Sequence, residues 1–163
     1  MLISHVTAIA ISGISWFLMG FFLLSKGLNL FVHACYAKDT GGLISHIAAI
    51  AGGREQAALF LMMVGLGIGY LKGKVVLVKT VKRVAERVIS LPNPLKITQM
   101  YAKSYYILLL SMMAIAALLR FSSISNDIRG IIDVAIGAAL VKGSLLYLRF
   151  ALAVRKQRSI ENG

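Results

Sequence analysis

Four apolar runs, at about 7–33, 56–78, 104–121 and 131–153, constrain this chain more than any other feature of its sequence. A helix needs about 20 apolar residues to cross hydrocarbon roughly 30 Å thick, at about 1.5 Å per residue. Each run meets or approaches that length. The shortest, 104–121, opens on Tyr101, Tyr105 and Tyr106, ring-bearing residues suited to a head-group interface. The expectation is an all-α, integral membrane four-helix bundle in which residues 1–163 form a single transmembrane domain.

Water-filled alternatives fit poorly. Apolar residues make up 58% of the chain, with a mean hydropathy of +0.80, well above an ordinary soluble domain. The formal charge of +12 would suit nucleic acid if the basic residues formed one solvated face, but they flank and interrupt the apolar runs. That placement predicts anionic lipid head groups as partners and no nucleic acid. Val32, His33 and Ala34 before Cys35 depart from a lipoprotein cleavage box at His33, and no basic stretch precedes the first run. It is therefore read as a retained helix.

Between the first two runs, Leu43 to Ala51 is apolar but too short to cross, and is expected in the interface or tucked against the bundle. Beyond the second run, Val81, Val84, Ala85 and Val88 alternate at helical period with Lys82, Arg83, Glu86 and Arg87, until Pro92 and Pro94 intervene. This predicts an amphipathic extension over 79–90, and 154–163 forms a basic tail. Lys79, Lys82, Arg83, Arg87, Lys96 and Lys103 crowd the central loop against Glu86 alone, whereas the other two loops are nearly balanced. Short basic loops stay inside. The chain is thus expected as a multi-pass protein of a cell (inner or plasma) membrane, with N- and C-termini cytoplasmic.

A shift of 70 residues lays Gly67 on Gly137, Lys72 on Lys142, Gly73 on Gly143 and Lys79 on Arg149. The first and third runs align less well, Met19 with Met113, Gly20 with Ala114 and Lys26 with Arg120. Two readings stay open: two parallel-repeat helical hairpins about an axis along the membrane normal, or the general likeness of apolar helices.

Gly65, Gly69 and Gly73 recur every fourth residue, a small-residue row that lets another helix approach closely. Ala135, Ala139 and Gly143 form a similar row, and Gly13, Gly20 and Gly27 fall at seven-residue spacing. Lys26, Lys72, Arg120 and Lys142 place charge within apolar runs, at about 2.5–3.5 kcal/mol each near a helix centre. Asp133 is the acid that falls within a run, where it suits either the first helical turn or a cation site. His33, Cys35, Asp39 and His46 match no metal spacing, and Gly65, Gly67, Gly69 and Lys72 lack the strand and hydroxyl of a phosphate loop. No catalytic set or cofactor motif is present, so no enzyme is expected. Two functions remain: a small transporter or channel for an anion or anionic lipid, or a non-enzymatic assembly or scaffold subunit, in a homo-oligomer or with partner membrane subunits.

Overall fold

The computed structural model describes residues 2–36, 42–90, 95–96, 114, 118, 121 and 124–161. Helix α1 runs His5–Tyr36, α2 Leu43–Ala51, α3 Arg54–Lys72, α4 Val78–Ser90 and α5 Asn126–Glu161. A π-helical segment, Gly73–Leu77, joins α3 to α4 without a break. Two two-residue strands, β1 Leu2–Ile3 and β2 Leu95–Lys96, pair antiparallel, and the other described elements are helices. Among the described residues, three helical stretches are long and apolar enough to cross a membrane: His5–Tyr36, Arg54–Arg87 and Asn126–Lys156. Of the 104–121 run, only Ala114, Leu118 and Phe121 belong to the described residues; Arg120, Tyr101, Tyr105 and Tyr106 lie outside them.

The helices outrun the expected spans. At 36 residues, α5 is about 54 Å long, well beyond hydrocarbon thickness. Its excess length is used at both ends. At one end Ala8 and Ile9 of α1, Val81 of α4, and Tyr147, Ala151 and Val154 of α5 form a buried cluster. The apolar stripe of α4 is thereby covered, while Lys82, Arg83, Glu86 and Arg87 stay exposed. At the other end Phe31, Ile44, Ala57, Ala58, Leu61 and Val134 form a second cluster, against which Ile47 and Ala48 of α2 pack. Helix α2 therefore tucks against the bundle. It turns into α3 through Gly52, whose φ of 85° is a left-handed conformation that glycine adopts without a Cβ clash.

Helix α5 lies between α1 and α3, and the small residues set both seams. Along α1 the order is reversed: Gly13 faces Tyr147 and Ser144, Gly20 faces Val141 and Gly137, and Gly27 faces Val134 and Gly130. Along α3 it is direct, with Gly65 on Ile131 and Val134, Gly69 on Ala135 and Ala138, and Gly73 on Ala139 and Lys142. So α1 is antiparallel to α5, and α3 is parallel to it. The start of α1, the end of α4 and the later turns of α5 share one end. Asn126 lies at the other.

Candidate functional site

Helical spacing puts Phe22, Ser25, Lys26, Asn29, Leu30 and His33 on one face of α1, where they line an open groove of about 330 Å3. Asp133, on the first turns of α5, reaches the same place: Lys26 Nζ and Asp133 Oδ2 are 3.1 Å apart. The antiparallel α1–α5 seam brings them together, since Gly27 meets Val134. The carboxylate side chain is only 15% exposed and the ammonium side chain 53%. Asp133 is thus half of an interhelical ion pair. Lys26→Met and Asp133→Asn each remove one partner, and the double variant removes both. A double-mutant cycle on thermal midpoints is expected to return a coupling of about 1–3 kcal/mol, the partial exposure of Lys26 keeping it below a fully buried pair. A coupling near zero would mean that the two charges are solvated separately.

Asp127 sits deeper, with 2% of its surface exposed. Its Oδ2 accepts the Ile44 N–H at 2.9 Å and its Oδ1 the Ile128 N–H at 2.9 Å. Helix α2 begins at Gly42, which has no side chain to cap its free amides, and the α5 carboxylate supplies the cap instead. Gly42 leaves room for it, since a Cβ there would lie 2.6 Å from Asp127 Oδ2. Nearby, the Arg54 guanidinium donates to the Ala34 carbonyl at 3.2 Å, tying α3 to the end of α1. Among the described residues, no three His, Cys, Asp or Glu side chains gather as a metal site requires.

The third cluster surrounds the π segment. Lys72, which ends α3, is exposed, as are Lys74 and Tyr70. Lys142 is half-buried, and its ammonium stands 3.0 Å from the centre of the Tyr70 ring, a cation–π contact. Gly73 touches Ala139 and Lys142, so all three lysines occupy nearly one level of the bundle. Single-turn π-helical segments inside α-helices are frequent at functional sites. Lys74, which is not among the charges expected within the apolar runs, is marked in the sequence only by its spacing from Lys72 across a glycine.

The residues matched by the 70-residue shift share some surroundings and not others. Gly65 and Gly69 correspond to Ala135 and Ala139, and these two rows lie in one seam. By contrast, Gly137 presses on Gly20 and Leu24, whereas Gly67 has nothing within 4 Å; Gly143 abuts Trp16 and Leu77. The counterpart of Lys26, Arg120, lies outside the described residues. No protein-family model, curated protein or solved structure matches the chain.

Proposed function

We propose that this chain is a multi-pass protein of a cell (inner or plasma) membrane, with both termini cytoplasmic, and that it serves as a non-enzymatic assembly or scaffold subunit. Three apolar helices of spanning length support membrane insertion. So do exposed side chains such as Leu18, Phe22, Met63, Leu71 and Leu152, which would be an unusual surface in water. With the apolar run 104–121 of the sequence, which lies largely outside the described residues, counted as one crossing, the number of crossings is even. The end shared by α1, α4 and α5 carries Lys79, Lys82, Arg83, Arg87, Arg149, Arg155 and Lys156, which supports a cytoplasmic position beside anionic head groups.

The observation that carries the subunit reading is that Lys72 and Lys74 are exposed on the outside of tightly closed seams. A transporter or channel for an anion or anionic lipid would need a passage beside these lysines. Among the described residues, a Cβ built on Gly20, Gly69 or Gly137 would meet the neighbouring helix within 3.0 Å, so both sides of α5 are filled. Charge on an outer face and small residues in the seams suit lateral assembly.

Two measurements test this. On a Cys35→Ala background, Ser90→Cys is expected to resist an impermeant thiol reagent added outside intact cells, and Ile50→Cys to react; the reverse pattern would overturn the orientation. Purified in mild detergent from its own membrane, the full chain is expected to bring other membrane chains in fixed stoichiometry and, reconstituted alone, to release no trapped anion from vesicles. A lone chain that conducts would establish the transport reading instead.

A further inference from the structure

We infer that Lys72, the last residue before the π segment, and Lys74, within it, are the seat of a partner membrane helix that carries a carboxylate at their depth. The inference rests on the subunit reading above and names the chemistry of its partner.

The case begins with the six acids of the chain: Asp39, Glu55, Glu86, Asp127, Asp133 and Glu161. Residues 91–125 contain none, so whatever that segment packs against, it brings no counter-ion. Glu86 is 3.8 Å from Lys82, Asp133 is held by Lys26, and Asp127 is bonded to backbone amides. Asp133 stands nine residues before Lys142 on α5, about 13 Å along the axis. Among the described residues no carboxylate lies within ion-pair distance of Lys72, Lys74 or Lys142.

Head groups are poorly placed to take that role. The basic end lies toward the C-termini of α3 and α5, and side chains on an α-helix tilt toward its N-terminus. Lys142 follows that tilt: its ammonium rests on Tyr70, on the far side of Lys72 from the basic end. Lys72 begins about 10 Å along the axis from Lys79, a long reach for a lysine stem set against the tilt. A second copy in the same orientation is disfavoured as well, since it would bring the same three ammonium groups to the same depth. An acid on a different helix, seated on the outer face of the α3–π segment between Lys72 on one flank and Lys74 on the other, satisfies the charge without either difficulty.

A hydrophobic carbodiimide applied to the native membrane tests the contact. It condenses a carboxylate with a neighbouring amine to an amide, taking up the water as its urea. The expected product joins Lys72 or Lys74 to an Asp or Glu in an apolar peptide of another chain, located by mass spectrometry. Lys72→Arg with Lys74→Arg should keep the partner but lose the amide. Lys72→Met with Lys74→Met should lower co-purification by on the order of tenfold or more, with an unchanged thermal midpoint of the isolated chain showing that it still folds. Partners retained by the Met variant, with no amide at either lysine, would overturn this inference and leave the subunit reading standing. So would an amide to the carboxylate of a serine phospholipid or to a second copy of the chain. Absence of any stoichiometric partner would overturn the subunit reading itself.

Discussion

Gly69→Leu is expected to force α3 away from α5 and to cost more stability than any other single change along that seam. A Cβ on Gly69 would collide with the Ala135 carbonyl oxygen and lie 2.9 Å from the Ala138 Cβ. Overpacking costs about 1–3 kcal/mol when neighbouring side chains can shift. Here the obstacle is helix backbone, which cannot turn aside, so the loss should reach the top of that range or exceed it. Gly67 supplies the control, since it lies two residues away on the same helix with nothing within 4 Å. Gly67→Leu should be close to neutral, with the better helix propensity of leucine in its favour. Thermal midpoints in mild detergent would read the difference. Equal losses at the two positions would contradict the seam.

The second large effect concerns Asp127, whose carboxylate caps a helix that is not its own. Asp127→Ala removes two charge-assisted hydrogen bonds and leaves the Ile44 N–H without its acceptor. Bonds to a charged group contribute about 1.5–3 kcal/mol each, so a loss of about 3 kcal/mol is expected. The damage should be local. Amide exchange over Leu43–Ala51 should rise steeply, while the α1–α5 seam around Gly20 keeps its protection. Asp127→Asn retains one acceptor and should lose about half as much. Unchanged exchange in α2 would show that Ile44, buried in its apolar cluster, holds the helix unaided.

Local features of this fold were the ones legible in the sequence. Run length identified the three long apolar helices among the described residues, because hydrocarbon thickness sets a minimum that few other structures need. The 3.6-residue alternation of Val81 and Ala85 with Lys82 and Arg83 marked the extension, whose end at Ser90 precedes Pro92 as the steric rule requires. The pairing of Lys26 with Asp133 was hidden, because it depends on which helices are neighbours and in what direction, and no local pattern encodes that. In the sequence Asp127 is one of the charges that balance the loop before the last apolar run, and only the approach of Gly42 reveals that it serves α2.

The π segment Gly73–Leu77 also changes how the long helix around it must be read. A step of four residues overshoots one α-helical turn by about 40°, so a row kept at strict four-residue spacing drifts steadily around its axis. Gly65, Gly69, Gly73, Leu77, Val81 and Ala85 form such a row, and yet members at both of its ends are buried against neighbouring helices. The wider π turn, with its i→i+5 bonding, takes up about one residue's rotation, roughly half of the accumulated angle. A single helical wheel drawn from Arg54 to Ser90 would therefore place α4 on the wrong side. Two wheels are needed, one on each side of Gly73–Leu77, and a relative of this chain with one residue fewer there would keep the same alignment of its two flanks on a regular α-helix.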